Sequence, residues 1–133
     1  MRPDTLADAV QRIRAGTAQD LALAEFIDSF DLAPTLEARY ACIVDEPALG
    51  GDPKLDALVG AMAEYLAKQH RLGRVPPWAS GPQRRLAEPW FTTPAPTDAM
   101  REYLSFSSPG EFASRNIFTD ERPLRRARSP LAE

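Results

Sequence analysis

The amino-acid sequence predicts an all-α fold, a single compact domain of five to seven helices that spans residues 1–133. In the first half, apolar residues recur at the three- and four-residue spacing of amphipathic helices, and no alternation of useful length indicates a sheet. The chain contains 13 prolines, mostly after Gly73, so its second half is broken into short elements. Residues 75–91 hold four of these prolines and both tryptophans, and we predict that this Pro/Trp-rich strap crosses the helical core.

Composition divides the domain into four parts. Residues 1–73 form an acidic helical part and residues 74–96 contain the strap. Residues 97–128 form short basic helices joined by turns, and residues 129–133 are expected to fray.

The net charge of −3 is unevenly distributed. Residues 1–66 carry 5 Lys and Arg against 12 Asp and Glu, a net charge of −7, whereas residues 67–133 carry 11 against 7, a net charge of +4. The asymmetry indicates either a face for a charged partner or helix surfaces that simply face solvent.

Stripes and caps predict three helices before residue 46. The first covers residues 5–15, and Thr17 caps a second that runs to about residue 30. Asp28 and Asp31 are expected to face solvent, because the buried stripe of the second helix is Leu23, Phe26, Ile27 and Phe30. The third helix starts near Pro34, and its inner face consists of Leu36, Tyr40 and Ile43.

The strongest helical signal follows a turn-rich link. Asp52 is the N-cap, Pro53 is the first helical residue and Gly73 ends the helix. An unbroken apolar stripe predicts that this helix is the central beam of the core, with five residues largely buried: Leu55, Leu58, Val59, Met62 and Leu66.

The two tryptophans of the strap are expected to hold it against the helical core. Trp78 and Trp90 directly follow prolines, so both rings are carried on stiff backbone. We predict that they pack on the central helix, with each indole N–H bonded to a partner. The alternative is an exposed aromatic patch that anchors a partner protein.

Local signals define the rest of the chain. Thr97 caps a helix to about residue 106, with Met100 and Leu104 directed inward. Residues 108–111, SPGE, form a capping box, and Thr119 caps a last short helix through residue 128. Asn116 is expected to stop the preceding helix in a left-handed conformation, and the aromatic anchors of this region are Phe91, Phe112 and Phe118.

The sequence contains no constellation typical of catalysis, cofactor binding or metal binding. His70 is the one histidine, and near a helix C-terminus it is expected to be a favourable charge rather than a catalytic base. Cys42, the one cysteine, has apolar neighbours and is expected to be a core thiol. We therefore predict a protein that is not an enzyme and that needs no cofactor or metal.

Composition also bears on the cellular compartment in which the protein is expected. No run of about 18 apolar residues is present, which predicts no membrane span, and the N-terminus has no apolar segment typical of a secretory signal. A lone cysteine excludes an internal disulfide and fits a reducing cytoplasm.

Residues 122–128, RPLRRAR, form a basic cluster. Arginines neutralise phosphates, so nucleic acid is one candidate partner, although an overall pI of about 5.2 disfavours general nucleic-acid binding. The alternative is a solvated helix end.

Four stretches carry a resemblance to a known family: residues 20–30, 53–72, 75–91 and 108–128. The chain resembles small bacterial antitoxin-like proteins encoded beside nucleotidyltransferase-like toxins. Their shared motif, SPxxFxRRNIF, is matched here by Ser108, Pro109, Phe112, Arg115, Asn116, Ile117 and Phe118, with Ser114 where arginine is common.

The resemblance implies an interaction module that binds a nucleotidyltransferase-like toxin and inhibits it by occlusion. The expected partner-binding residues are Arg115, Arg122, Arg125 and Arg126, which would bond to carboxylates on the partner. The alternative is that residues 108–118 only stabilise the fold. A small nucleic-acid-binding regulator and a small enzyme remain as competing hypotheses.

Overall fold

The computed structural model describes residues 2–124, and it confirms a compact all-α domain. Within these residues the helices are α1 (Leu6–Arg14), α2 (Gln19–Leu32), α3 (Leu36–Ala41), α4 (Pro53–Gln69), α5 (Asp98–Ser107) and α6 (Gly110–Ala113). Two short strands, β1 (Trp90–Phe91) and β2 (Ile117–Phe118), pair in parallel. None of the described helices is long and apolar enough to cross a membrane.

The first two helices pack against each other, and the turn between them differs from the prediction. Thr17 does not cap α2, whose N-cap is Ala18 without a side-chain hydrogen bond. The Thr17 backbone N–H instead donates to the Arg12 carbonyl at 2.9 Å, so this residue belongs to the turn that ends α1. The prediction therefore assigned a cap residue to the wrong helix end.

Two expectations about exposure in α2 and α3 are wrong. Asp28 was expected in solvent, but only 1% of it is exposed, because the buried face of α2 is wider than its apolar stripe. Leu36 was expected on the inner face of α3, yet 53% of it is exposed. As the first residue of a six-residue helix, Leu36 lies too far from the core, whereas Tyr40 and Ile43 are buried.

Helix α4 is the central beam, as predicted. The Asp52 carboxylate accepts hydrogen bonds from the Lys54 and Leu55 N–H groups at 3.2 and 3.3 Å, with Pro53 at the first helical position. Four of the five stripe residues are buried, and Leu58 is half-buried at the edge of the core. The helix ends at Gln69, with His70 as C-cap, so it stops before Gly73.

The strap crosses α4 as two 3-10 turns, Pro77–Ser80 and Pro82–Arg84, followed by β1. The Trp78 indole N–H donates to the Ile43 carbonyl at 3.0 Å, and Trp90 lies opposite Ile117 in the strand pair. Both tryptophans are half-buried against the core, in agreement with the structural interpretation of the strap.

Two predictions after the strap are wrong. Thr97 caps α5 as expected, but Met100 is exposed and only Leu104 of the predicted inner pair is buried. The proposed capping box does not form, because α6 has no side-chain cap. The Ser108 hydroxyl instead accepts from the Thr119 N–H at 2.8 Å, which fastens the end of α5 to the chain after β2.

Asn116 has the predicted left-handed conformation, with a φ angle of 64°. Residues 119–124 are not helical, so the described part of the predicted last helix does not form. The remainder of that prediction, to residue 128, lies outside the described residues.

Candidate partner-binding surface

Arg115, the first predicted partner-binding residue, is not on the surface. Only 5% of it is exposed, and its guanidinium donates to Glu64 Oε1 at 2.7 Å, the Glu111 carbonyl at 2.6 Å and the Ala79 carbonyl at 2.8 Å. These three acceptors belong to α4, α6 and the strap. The prediction that Arg115 contacts a partner is therefore corrected: this arginine joins three elements of its own chain.

A second arginine, Arg84 of the strap, is buried against α4. Arg84 is 2% exposed, and it donates to the Pro47 carbonyl at 2.6 Å, the Glu46 carboxylate at 3.1 Å and the Asp56 carbonyl at 3.3 Å. Its guanidinium carbon also lies 4.9 Å from the centre of the Trp78 ring.

Gly60 of α4 allows the strap and both arginines to approach the helix. A Cβ atom at this position would lie 3.0 Å from Arg84 Cβ, 3.2 Å from the Ala79 carbonyl oxygen and 3.4 Å from Arg115 Nε. A Cβ atom here would require these neighbours to move by a few tenths of an ångström, which favours glycine in the middle of the central helix despite its low helix propensity.

Glu64 is the charged partner of Arg115. Partial burial alone would raise the pKa of Glu64, but hydrogen bonds from Lys68 and Arg115 outweigh it and hold the pKa below its ordinary value. The Lys68 ammonium lies 2.8 Å from Glu64 Oε2. The ion pair therefore stays formed at neutral pH and stabilises the native state.

The other motif residues also make contacts within the chain. The Asn116 side chain donates to the Leu86 carbonyl at 2.8 Å, Phe112 packs edge-on against Tyr65, and Phe118 stacks on Phe91 with ring centres 5.1 Å apart. These contacts favour the alternative in which residues 108–118 hold the fold.

Of the remaining predicted arginines, the structure describes Arg122 alone. Arg122 is exposed, and its backbone N–H donates to Asp120 Oδ1 at 2.8 Å. Arg125 and Arg126 lie outside the described residues.

His70 is part of a small cluster at the end of α4. Its Nδ1 atom lies 3.2 Å from Arg39 Nη1, and its ring meets the Phe30 ring edge-on at 4.9 Å. Burial, followed by the positive charge of Arg39, lowers the pKa of His70 even though Asp31 opposes the shift. The expectation of a charged histidine at the helix dipole is therefore wrong, because desolvation and Arg39 favour the neutral ring.

No group of three or more His, Cys, Asp and Glu side chains that could hold a metal ion occurs in residues 2–124. Burial, reinforced by Asp4, raises the pKa of the Cys42 thiol, and Arg39 only partly offsets this. The thiol also donates to the Ala38 carbonyl at 3.3 Å. A thiol with a raised pKa is a poor nucleophile, as expected for a structural cysteine.

The half-buried aromatic residues of β1 line a surface cleft of about 690 Å³. The Lys54 ammonium lies 5.3 Å from the centre of the Trp90 ring, and the Arg101 guanidinium lies 5.7 Å from the centre of the Phe91 ring. A partner that stacked on these rings would therefore compete with cations of the same chain.

Helix α5 instead presents exposed apolar side chains. Met100 is 37% exposed, Tyr103 57% and Phe106 85%, while Leu104 is buried. We call Met100, Tyr103 and Phe106 the α5 strip. The prediction from sequence missed it because Met100 was placed inward. The signal that could have found it is that α5 has more large apolar residues than one core-facing edge can bury.

No family model, no curated protein and no solved structure matches this chain. Within residues 2–124, the predicted arginines do not come together, because Arg115 is buried against α4 and Arg122 is exposed beyond β2. The α5 strip contains the most exposed large apolar side chains among the described residues.

Proposed function

We propose that this protein is a non-catalytic cytoplasmic module that binds a partner protein, a nucleotidyltransferase-like toxin, and inhibits it by occlusion. The family resemblance supports the class of partner, and the α5 strip supports a protein-binding role. A lone, partly buried cysteine is compatible with the cytoplasm.

The observation that carries the proposal is the exposure of Tyr103 and Phe106 on one helix. Scattered exposed apolar residues are ordinary, but adjacent ones on a monomer are typical of contact surfaces. Tyrosine also supplies a large contact area at low cost in side-chain entropy. A partner that covered both rings would bury the most exposed large apolar side chains among the described residues.

Charge supplies the second part of the contact. Asp45, Glu46 and Asp52 are exposed in and after the link that precedes α4, within the acidic half of the chain. Such a surface would attract the basic groove with which a nucleic-acid-modifying enzyme holds its substrate, and charge complementarity speeds encounter and fixes register. Arg122 remains a candidate for a contact with a partner carboxylate, whereas Arg115 does not.

Two competing hypotheses remain. A nucleic-acid-binding regulator would use the basic cluster at residues 122–128, of which Arg122 is exposed and residues 125–128 lie outside the described residues. It predicts binding to DNA or RNA that weakens steeply with salt. A small enzyme remains the third hypothesis.

The proposal is tested by co-expressing the protein with the product of the neighbouring gene, followed by co-purification and an assay of toxicity. Phe106→Ser should weaken the complex at least about tenfold if the ring is an anchor. Leu21→Ser is the control, because Leu21 is an exposed apolar residue, 51% exposed, on a different helix, α2.

Two results would contradict the proposal. One is a wild-type protein that does not bind the neighbouring enzyme at micromolar concentration. The other is binding that Phe106→Ser and Leu21→Ser weaken equally, which would remove the α5 strip from the interface.

A further inference from the structure

We infer that a small polar pocket between α4, α6 and the strap binds a tetrahedral oxyanion of the phosphate class. The pocket has a volume of about 210 Å³. Its charged and hydroxyl-bearing lining residues are three arginines, two serines and one glutamate: Arg84, Arg85, Arg115, Ser80, Ser114 and Glu64. None of them belongs to the α5 strip, so the inference does not depend on the proposed partner.

The charge of the pocket favours an anion. The Glu64 carboxylate would repel one, but its Oε1 atom accepts from Arg115 at 2.7 Å and its Oε2 atom lies 2.8 Å from the Lys68 ammonium. Arg84 is paired with the Glu46 carboxylate at 3.1 Å. The excess positive charge is that of Arg85, whose side chain makes no hydrogen bond or ion pair with the other described residues.

The two buried arginines have hydrogen-bond donors to spare. A guanidinium carries five N–H groups. Arg84 and Arg115 each use three of them for acceptors of the same chain. The Nε atom of Arg84 is buried and has no acceptor among the described residues. Buried donors without an acceptor are costly, so this wall of the pocket favours a ligand rich in acceptor oxygens.

The mouth of the pocket is open to solutes and adds further donors. Ser80, Arg85 and Ser114 are exposed. The Ser80 hydroxyl makes no hydrogen bond with the other described residues, and the Ser114 hydroxyl donates to the Glu111 carbonyl over a long 3.3 Å. Guanidinium and hydroxyl donors together are typical of phosphate recognition. They come from the strap and from the residues after α6, so they suit a tetrahedral group better than a planar carboxylate.

An NMR titration of the purified full chain with sodium phosphate tests the inference. At neutral pH and up to about 20 mM phosphate, we expect saturable shifts of the backbone amides of Ser80, Gly81 and Arg85, with a Kd of about 1 mM. Sodium chloride at the same ionic strength and sodium acetate at the same concentration are the reference titrations. Shifts that do not saturate, or that chloride or acetate reproduces, overturn the inference.

A pair of arginine variants separates the pocket from general electrostatic attraction. Arg84 and Arg115 hold the fold, so the exposed Arg85 is the residue to change. Arg85→Gln should weaken phosphate binding at least about fivefold, because it removes a charge-assisted donor. Arg71→Gln is the matched control, since it removes the same charge from an exposed arginine outside the pocket, and it should change the Kd less than about twofold. Equal weakening by the two variants overturns the inference.

The source of the oxyanion is distinguished by a titration with O-phosphoserine. If it shifts the same amides as phosphate does, the pocket accepts a phosphoryl group carried on a larger molecule. If phosphate alone shifts them, the pocket is assigned to the free ion. If neither produces saturable shifts, the inference fails and the proposed function is untouched, because the α5 strip lies outside the pocket.

Discussion

Helix α4 is covered by other elements, which bury two arginines beside its apolar stripe, whereas helix α5 leaves large apolar side chains exposed. Against α4, two arginines are almost completely buried, whereas α5 exposes a tyrosine and a phenylalanine. The strap and α6 cover α4, and the arginines satisfy carbonyl and carboxylate oxygens there, while α5 contacts chiefly β2. The comparison teaches that the covering elements decide burial here, and that residue type alone does not. It also separates residues that stabilise the fold from residues available for binding.

The first prediction concerns Arg115. Arg115→Met keeps an unbranched apolar stem but removes the guanidinium, which leaves the Ala79 and Glu111 carbonyls without their donor and Glu64 without one of its two cations. We expect a loss of about 3 kcal/mol in the free energy of unfolding, measured by urea titration, because removing one partner of a buried pair is costly.

Arg122→Ala is the matched control for an exposed arginine of the same motif region. Its free energy of unfolding should remain within about 0.5 kcal/mol of wild type. If Arg115→Met were as stable as Arg122→Ala, the buried Arg115 would contribute no more to the stability of the fold than the exposed Arg122.

The second prediction uses the same substitution at two glycines. Gly60→Ala should destabilise the protein by about 1 kcal/mol, because the cost of overpacking exceeds the gain in helix propensity. The crowded neighbours are Arg84 Cβ, which the three hydrogen bonds of that side chain hold in place, and the Ala79 carbonyl oxygen.

Gly110→Ala provides the contrast, because a Cβ there meets nothing within 4 Å. It should be neutral or slightly stabilising, by up to about 0.5 kcal/mol, since alanine restricts the unfolded chain. Thermal melts of both variants test the sign. A stabilised Gly60→Ala would show that the strap yields and that its contact with α4 is loose.

The sequence predicts well those features that depend on neighbouring residues. The stripe of α4, its Asp52 cap, the Thr97 cap and the left-handed Asn116 each depend on signals a few residues apart. The all-α class follows from the same local patterns. The antitoxin role has no comparable local signal and remains a proposal.

Long-range contacts account for the errors. Arg115 meets Glu64 from 51 residues away, and Arg84 meets Glu46 from 38 residues away, so no local pattern marks either arginine as buried. Ser108 matches a capping box in sequence, but its hydroxyl is engaged by Thr119 across the turn. The predicted partner site failed for the same reason, because Arg115 looks like a surface residue until α4 is placed beside it.

The last prediction, with the smallest expected effect, concerns His70. It tests whether the partly buried cluster around this residue makes the free energy of unfolding depend on pH. Arg39 faces its Nδ1 atom from α3, while Phe30 and Asp31 lie on α2. Burial and Arg39 lower the pKa of His70 in the folded state. Below about pH 6.5 the unfolded chain therefore binds more protons than the folded chain. The stability that neutral His70 contributes is thus present above that pH and is lost as the pH falls through the folded pKa. Because His70 is the one histidine in the chain, His70→Gln should flatten the dependence of the unfolding free energy on pH between about 7.5 and 5.5. Glu64→Gln should instead lower stability at neutral pH, where the Glu64 ion pair is formed, and its difference from wild type should shrink as the pH falls and the wild-type carboxylate is protonated. An NMR titration in which the pKa of His70 lies at or above its ordinary value would contradict the assignment.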